Sequence, residues 1–525
     1  MVAPLTSNLT LERALGRVRD PFVLTAQGDI LEASEIELGN LPGRDKAFAP
    51  PCALEDLGDR GFCRDHGLIY PYVSGAMANG IGSVEIVEAM GRAGMLGIYG
   101  AAGLSLSTVE SAIDRLENSL GLEGIPYGFN LIHSPNDPEL ESSLVNLYLR
   151  RGVRLVEASA YLGLTPAVVR YRVNGLRRDE DGQVVAINRV IAKVSRVEVA
   201  SRFLAPAPAK ILRTLVDAGE VSPEQAELAS QVPMADDITA EADSGGHTDN
   251  QPAIVLLPTM VALRDRLAAE HGYVNPPRIG AAGGISTPWS ASAAFAMGAA
   301  YLVVGSVNQG CVESGTSDLV RTMLADARQA DIAMAPAADM FEMGVKVQVL
   351  KRGTMFAMRA AKLYELYRTH ESLDSISEAD RAALEKTIFK LPLTTVWKQT
   401  RDFFRTRDPK QVERAERDPK HKMALVFRWY LGHASVWANA GEPSRAVDYQ
   451  IWCGPAMAAF NEWVRGSFLE LPENRRVTTV ALNILYGAAV LERARFLTVQ
   501  GMTLPPGLLK LAPLEASEIL ERVGR

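Results

Sequence analysis

The sequence predicts an α/β fold, a (β/α)8 TIM barrel with an N-terminal extension and a mainly helical C-terminal region. Between about residues 68 and 305, short runs rich in β-branched and small residues alternate with helical stretches, which is typical of βα units and a parallel sheet. This region holds eight strand–helix pairs, and an open doubly wound sheet usually needs fewer. With 525 residues, 47% of them hydrophobic, the chain is long enough for a barrel plus further regions.

Each strand of the predicted barrel is followed by a helical stretch. The eight strands are predicted at residues 69–76, 95–99, 127–131, 153–157, 186–194, 237–242, 278–282 and 301–305. The helical stretches are predicted at residues 83–93, 107–120, 138–150, 166–174, 197–230, 253–270, 288–297 and 317–327.

The regions on either side of the barrel have different patterns. Residues 1–60 mix short apolar runs with proline and glycine, and predict an N-terminal extension that is irregular or separately folded. The barrel is predicted over residues 61–335. After Pro336 the alternation stops: residues 345–368 have the pattern of one basic amphipathic helix or helix pair, and residues 376–525 have almost only helical periods.

Charge and cysteine content exclude several classes of protein. A net charge of −7 and a pI near 5.7 argue against a general nucleic-acid binder. The four cysteines form no CxxC pair and no two histidines have metal-ligand spacing, so neither a disulfide framework nor a metal site is expected. The N-terminus lacks the pattern of a secretory signal, and no apolar stretch is long enough to cross a bilayer. A cytoplasmic protein with no membrane or nucleic-acid partner is therefore expected.

Two RDPK strings, at residues 407–410 and 417–420, lie in the most charged segment of the C-terminal region. They are too short and too close together to form a structural repeat. One interpretation is a solvated loop or helix end, and the other is a docking patch for an acidic partner. The sequence leaves both open.

Two glycine turns late in the alternating region are the strongest functional signal. Gly283 and Gly284 follow the seventh strand, and Gly305 and Ser306 follow the eighth. Barrels commonly bind phosphate at these two loops. Glycines let backbone N–H groups approach phosphate oxygens, while helix N-termini and the Ser306 hydroxyl add favourable dipoles. Each turn alone could be an ordinary tight βα turn, but two in this order favour a phosphate site.

The sixth strand ends in the string EADSGGH, which places His247 at the C-terminal rim, where barrel enzymes assemble their sites. Gly245 and Gly246 would allow a flat ligand to lie against the backbone. His247 could hydrogen-bond a substrate carbonyl or supply a proton, because imidazole titrates near neutrality. A single histidine is more often structural, but of the seven histidines this one alone follows a strand in a glycine-rich context.

Residues at the ends of earlier strands are expected at the same C-terminal rim of the barrel. The small-residue run that begins at Ala76, Met77 and Ala78 suits close approach of a planar ring, although it could be a plain turn. Asn130, after the third strand, can donate and accept toward a flavin edge, although Asn is also common in turns. Lys193, at the fifth strand, could stabilise an anionic reduced flavin or be a rim lysine. Together with the glycine–histidine strand end, these residues narrow the phosphate ligand to a flavin.

Several familiar motifs are missing from the sequence. No GxGxxG opens a βαβ unit, so a Rossmann site for NAD is not supported. There is no P-loop, GxSxG or HExxH. Cys311, just past the second glycine turn, is expected to pack rather than to act as a nucleophile.

Several strings together resemble the FMN-dependent nitronate monooxygenase (2-nitropropane dioxygenase-like) superfamily. The form EADSGGHTDN and two later strings resemble its PfaD-type branch, the trans-acting enoyl reductases of polyunsaturated fatty acid and polyketide synthases. The likeness covers most of the chain, and it implies lid helices over 336–375 and a helical C-terminal region over 376–525. The superfamily strings are AMANGIGSVEIVEAMGRAGMLG (76–97), GFNL (128–131), EADSGGH (241–247), AAGGI (281–285) and VVGS (303–306). The later strings are VKVQVLKRGTMFAMRAAKLYELY (345–367) and DYQIWCGPAMAAFNEWVRGSFLE (448–470).

The resemblance implies a reaction and a set of site residues. NADPH or NADH would reduce FMN, and the reduced flavin would pass hydride to a 2-enoyl thioester on an acyl carrier protein domain of a fatty acid or polyketide synthase. His247 and Lys193 would be the catalytic residues. A homodimer is compatible with the sequence. The resemblance implies flavin contacts from Ala76, Met77, Ala78, Asn130, Lys193, Gly245 and Gly246, and phosphate contacts from Gly283, Gly284, Gly305 and Ser306.

Three alternatives stay open. One is a nitronate monooxygenase, in which the histidine is a base and oxygen the oxidant. Another is a non-catalytic subunit that docks acyl carriers through its helical tail. The third is a barrel that binds a nucleotide substrate, as inosine-monophosphate dehydrogenases do. That family's catalytic cysteine belongs in the loop after the sixth strand, and residues 244–247 contain none.

Overall fold

The computed structural model describes residues 10–32, 46–134 and 138–524 of the chain. The strands are β1 (Phe22–Thr25), β2 (Ile30–Glu32), β3 (Lys46–Ala49), β4 (Tyr72–Ser74), β5 (Leu96–Tyr99), β6 (Gly128–Ile132), β7 (Leu155–Ser159), β8 (Arg177–Arg178), β9 (Val184–Val185), β10 (Arg189–Val194), β11 (Asp237–Glu241), β12 (Gly246–His247), β13 (Arg278–Ala282), β14 (Leu302–Val304), β15 (Ile332–Pro336) and β16 (Lys346–Leu350).

Helices surround the strands and form most of the last third of the chain. They are α1 (Leu11–Gly16), α2 (Arg60–His66), α3 (Val84–Arg92), α4 (Leu106–Ser119), α5 (Pro138–Arg151), α6 (Pro166–Val173), α7 (Val197–Leu204), α8 (Ala209–Asp217), α9 (Pro223–Leu228), α10 (Ala253–His271), α11 (Pro288–Ala296), α12 (Ser306–Gln309), α13 (Asp318–Ala325), α14 (Phe356–Thr369), α15 (Glu378–Leu384), α16 (Leu393–Arg407), α17 (Pro409–Arg417), α18 (Pro419–Ala440), α19 (Pro455–Trp463), α20 (Val477–Val499) and α21 (Ala516–Arg522).

Eight parallel strands close into a barrel in the order β4-β5-β6-β7-β10-β11-β13-β14. Each predicted strand corresponds to one of them, and the predicted TIM barrel is confirmed. The strands are short runs of buried residues because both faces are covered, one by the barrel interior and one by the helices. The predicted helical region over 197–230 consists of three helices, α7 to α9. Since all strands are parallel, their carboxyl ends meet at one mouth.

The prediction of a helix from residue 345 places the start of that helix too early. Residues Lys346–Leu350 form strand β16, the central strand of a small antiparallel sheet with β12 and β15, and helix α14 starts only at Phe356. Val347 and Val349 are buried and alternate with Lys346 and Gln348, which is the period of a strand. The segment predicted as lid helices therefore contains a strand that pairs with His247.

The described residues of the N-terminal extension, 10–32 and 46–60, pack against the C-terminal region. Strands β1 to β3 form an antiparallel sheet that packs on α20. Arg493 of α20 is buried and donates to the backbone carbonyls of Leu15, Arg17 and Asp20. Residues 1–9 and 33–45 of the predicted extension lie outside the described residues. The described remainder shares one core with α20, which contradicts separate folding for those residues. The boundaries at residues 60, 335 and 375 stay a prediction.

The C-terminal region is helical, as its periodicity predicted. Helices α14, α16 and α18 enclose a core of their own, whereas α20 packs on α11 of the barrel. Both RDPK strings are helix ends. Asp408 accepts the N–H of Lys410 and Asp418 accepts the N–H of His421, and the proline after each aspartate occupies the first turn of α17 or α18. No helix in the described part of the chain is long and apolar enough to span a membrane.

Candidate active site

A cavity of about 1040 Å³ opens at the carboxyl ends of the barrel strands. Barrel loops line one side of it, and the C-terminal region lines the other. Every site residue predicted from the sequence lies on its wall, which brings together positions from residue 76 to residue 306. These are Ala76, Met77, Ala78, Asn130, Lys193, Gly245, Gly246, His247, Gly283, Gly284, Gly305 and Ser306.

The two glycines of the turn after β13 differ in the space around them. Gly283 and Gly284 both have positive φ, +80° and +75°, which favours glycine. A Cβ on Gly283 would lie 2.5 Å from the backbone carbonyl of Ala242, so a side chain cannot fit there. A Cβ on Gly284 would meet no atom within 4 Å. The first glycine thus allows close packing, and the second leaves space beside the backbone on the cavity wall.

The two turns present unpaired backbone donors. Within the described residues, the N–H groups of Gly284, Gly305 and Ser306 donate to no acceptor. The nearest atom to a Cβ on Gly305 would be Cγ of Met77, at 3.9 Å, so this backbone is open as well. Unpaired N–H groups on the wall of one cavity are a ready site for a phosphate or another small anion.

Asn130 is more restricted than its sequence context suggested. Its side-chain NH2 donates to the Glu157 carbonyl at 3.1 Å and to Ser159 Oγ at 2.9 Å. Only Oδ1 is left for a ligand, so Asn130 can accept but not donate. The expectation that it does both is wrong, because the neighbouring strand β7 occupies both hydrogens.

Lys193 lies between two acidic side chains. Its Nζ is 3.1 Å from Glu241 Oε1. Burial lowers the pKa of Lys193, but the charges of Glu241 and Glu157 outweigh burial, so the net pKa is raised. Lys193 is therefore a cation over the whole working pH range.

Glu157 belongs to the site although the sequence analysis missed it. It is fully buried, and its Oε2 accepts the N–H of Ala76 at 3.0 Å. Burial raises the pKa of this carboxyl, and Lys193 and the Ala76 N–H lower it only in part. The contact fixes the first residue of the small-residue loop. A charged residue inside the apolar run of β7 was the available signal.

His247 extends from β12 over the cavity, and 39% of its side chain is exposed. Its Nε2 is 3.1 Å from Asp339 Oδ1. Burial lowers the pKa of His247, but Asp339 and Glu241 raise it by more, and the net pKa lies above the usual value. The pKa of Asp339 is lowered in return: burial raises it, and the bond to His247 outweighs burial. The pair thus favours a protonated imidazole beside a carboxylate.

Helices α16 to α18 and residues 450–453 form the other wall of the cavity, which we call the roof. Residues 450–453 join the small sheet: the N–H of Leu350 donates to Ile451, and that of Cys453 donates to Gln348. A Cβ on Gly245 would lie 3.0 Å from the Cys453 nitrogen, so Gly245 is needed for contact with the roof. The roof residues that sequence reasoning missed include Phe403, Arg428, Trp429, His433, Val436 and Trp452.

Cys311 packs in the core, as expected. It is fully buried, burial raises the pKa of its thiol far above the usual range, and its Sγ donates to the Val307 carbonyl. Across the described ranges, no cluster of three or more His, Cys, Asp or Glu side chains could hold a metal ion.

Comparison with known families agrees with this architecture. A family model described as nitronate monooxygenase matches residues 62–384, more than half of the chain. The chain belongs to the nitronate monooxygenase family. A second model, described as the inserted helical domain of acyl-carrier-protein S-malonyltransferase, matches residues 370–449, which include most of the roof.

Relatives place the chain in the PfaD-type branch of the family. The enoyl reductase domain of MlnA, from the macrolactin biosynthesis cluster of Bacillus amyloliquefaciens, is 40% identical with a TM-score of 0.81; the match covers 85% of this chain and 100% of that domain. A polyunsaturated fatty acid synthase protein of Thraustochytrium sp. is 52% identical over 93% of this chain. Polyketide biosynthesis protein PksE of Bacillus subtilis is 46% identical over 84% of this chain. The chain spans 32% and 57% of these two longer relatives.

Proposed function

We propose that this chain is an FMN-dependent enoyl reductase, which uses NADPH or NADH to reduce 2-enoyl thioesters on the acyl carrier protein domains of a fatty acid or polyketide synthase. One observation carries the proposal: unpaired turn N–H groups, a lysine paired with carboxylates and a histidine paired with Asp339 all line one cavity. Membership of an oxidoreductase family supports the class of reaction. The names of the relatives support the synthase setting.

The residues present fit FMN. The unpaired N–H groups of Gly284 and Ser306 suit a phosphate, and the open space at Gly284 leaves room for it. Asn130 Oδ1 can accept from the imide N–H of a flavin ring. When bound, FMN would supply the hydride chemistry between the nicotinamide and the β-carbon of the thioester.

Lys193 supplies a fixed positive charge to the cavity. Because Glu241 and Glu157 hold it protonated, it needs no proton uptake to stabilise an anionic ring system. Glu157 also binds the Ala76 N–H and so positions the loop on which the ring would rest. We assign Lys193 to charge stabilisation and Glu157 to positioning.

His247 is the candidate proton donor. Reduction of an enoyl thioester develops negative charge on the carbonyl oxygen, and a protonated imidazole can stabilise that charge or return a proton to the α-carbon. Asp339 favours this protonated form. A nitronate monooxygenase would instead use the histidine as a base, which requires the neutral imidazole. Because the same contact also makes the imidazole more basic, the pH profile of turnover, and not the contact, separates the two reactions.

The roof is consistent with the proposal that the substrate is bound to a carrier protein. Residues 370–449 match a helical domain whose family description names an acyl-carrier-protein transferase. The roof also covers the cavity, which keeps water away from the reacting centre. A non-catalytic docking protein would have no use for the Lys193 charge or for unpaired N–H groups at the barrel mouth.

An anaerobic two-step assay tests the proposal. The purified protein, loaded with FMN, is mixed with NADPH or NADH, and bleaching of the flavin absorbance is followed. Crotonyl thioester or a nitronate is then added, and re-oxidation is followed. We expect bleaching by a nicotinamide and re-oxidation by the crotonyl thioester.

Aerobic turnover of a nitronate without nicotinamide is the matched comparison. If the nitronate is consumed and the crotonyl thioester does not re-oxidise the flavin, the chain is a monooxygenase. If the protein does not bind added FMN, the non-catalytic docking role is supported instead.

A further inference from the structure

The exposed side of helix α17 carries a narrow basic stripe. Lys410, Arg414 and Arg417 follow one another at spacings of four and three, which places them within about 60° of each other around the helix. All three are exposed. Val412 and Ala415 face the protein core, so the stripe lies on the solvent side of the helix.

This stripe lies beside the mouth of the cavity. Gln411 of α17 and Arg407, at the end of α16, both line the cavity. Arg414 lines a smaller pocket of about 190 Å³ together with Met340 and Met343, and these two methionines also line the main cavity. A partner bound on the stripe would therefore be at the entrance to the active site.

Exposed apolar side chains stand at the same entrance. Phe403, Met343 and Val436 all line the cavity, yet they are 54%, 63% and 54% exposed. Large apolar groups left open to water, next to charged ones, are typical of a protein interaction site.

The charge pattern indicates an acidic partner. The chain as a whole carries −7, which repels an acidic protein from most of the surface. Lys410 and Arg417 form no ion pair within the described residues, and Arg414 has one exposed contact, 3.6 Å to Asp418. Exposed pairs of this kind are weak, so the stripe is available to a partner. Glu413 and Glu416 are also exposed on α17, so the positive charge is confined to the stripe. A narrow basic stripe gives orientation and on-rate to an acidic protein.

We propose that α17 docks the acidic carrier protein that delivers the thioester, with the basic stripe binding its acidic surface and the apolar entrance receiving the thioester arm. This inference rests on the proposed function and adds the surface at which the partner binds. Both interpretations of the RDPK strings then hold. The strings lie at helix ends, and each contributes one residue, Lys410 or Arg417, to the basic stripe.

The test is a charge reversal scored with two substrates. The double variant K410E/R417E is compared with the native chain on the crotonyl thioester of an acidic acyl carrier protein and on crotonyl-pantetheine, which has no protein. At low salt we expect KM for the carrier-bound substrate to rise about tenfold. We expect KM and kcat for crotonyl-pantetheine to stay within about twofold, because neither residue lines the cavity.

A matched control reverses two basic residues elsewhere. K210E/R213E on α8 makes the same change in net charge at two exposed residues, and no residue of this helix is on the cavity wall. It should leave both substrates unchanged. In the native chain, raising the salt concentration should raise KM for the carrier-bound substrate only, and this measurement does not depend on any variant folding.

The outcomes separate the two proposals. If native chain and K410E/R417E have equal KM for the carrier-bound substrate, or if K210E/R213E has the same effect, docking at α17 is overturned and the reductase stands. If neither thioester is reduced by the native chain, the proposed function itself fails.

Discussion

The two walls of the cavity are built by different means. The floor is formed by the turns at residues 283–284 and 305–306. The groups that it offers to a ligand are unpaired backbone N–H groups, which follow the ends of β13 and β14. The roof is made of side chains from helices that begin well after the last barrel strand, from Leu393 onward. The conformation of the floor is thus set by the strands immediately before it, while the position of the roof is set by contacts between residues far apart in the sequence.

A buried ionic cluster holds the roof together. Asp448 has no exposed surface and contacts Arg359 of α14, Tyr430 of α18 at 2.9 Å, and Arg445 at 3.3 Å. It precedes the segment that pairs with β16. Damage to the floor should therefore remove cofactor binding, whereas damage to this cluster should loosen the roof and leave the floor intact.

The largest effect is expected at the floor. In Gly284→Glu the Cβ has open space, but the carboxylate would stand in the proposed phosphate site and would repel the phosphate. We expect FMN binding to be lost, which flavin absorbance of the purified protein and titration with added FMN would measure. Gly284→Ala is the control: the same Cβ at the same positive φ costs about 1 kcal/mol of strain and should reduce affinity by about tenfold or less. A yellow, fully loaded Glu variant would remove the phosphate assignment.

The second largest effect is expected at His247, in the small sheet of β12, β16 and β15 between floor and roof. His247→Ala removes the proposed donor, and loss of one such group typically slows turnover by about 100-fold or more. FMN should stay bound, because His247 is not part of the glycine turns. Stopped-flow measurement of the two half-reactions checks this, since only re-oxidation by the crotonyl thioester should slow. Unchanged turnover would show that His247 has no chemical role.

The third effect is on the stability of the roof. Asp448→Asn leaves Arg359 and Arg445 buried without their shared anion, which should destabilise the roof by about 3 kcal/mol. Urea unfolding followed by tryptophan fluorescence reports it, because Trp429, Trp437 and Trp452 lie in or against this region. FMN affinity should change by less than about threefold, which corresponds to less than about 1 kcal/mol of binding free energy.

The matched variant is at the other end of the barrel. Asp237 is equally buried, 2.7 Å from His66 and 2.5 Å from Arg278. Asp237→Asn should destabilise the barrel and lower FMN retention with it. If Asp448→Asn releases FMN as readily as Asp237→Asn does, then floor and roof are one cooperative unit and the distinction between them is wrong.

This distinction explains how much the sequence could predict. Barrel strands are local patterns, so all eight and the glycine turns were found, and His247 followed from its place after a strand. Asp339 and Trp452 could not be found, because a loop aspartate or an aromatic residue in a helical region looks the same whether or not it reaches the cavity. Strand β16 was misjudged because its partners, β12 and β15, are brought to it by the barrel rather than by neighbouring residues.

The smallest expected effect tests the contact between His247 and Asp339. Asp339→Asn removes the carboxylate that raises the pKa of His247, so the protonated form should be lost at lower pH. If His247 acts as an acid, turnover falls as pH rises through its pKa, and in the variant this fall should move toward lower pH, with only a few-fold loss at the native optimum. Asp339→Glu should restore the native profile.

The limb of the pH profile that moves, falling or rising, decides between the two reactions of the family. A base is active in its neutral form, so a histidine base would gain activity as pH rises, and Asp339→Asn would then extend activity toward lower pH. Rate profiles of the half-reaction with crotonyl thioester and of nitronate turnover, recorded for the native chain and both variants, separate these cases. A profile that does not move would mean that the titrating group is not His247, and Glu157, whose pKa is raised by burial, would then be the candidate.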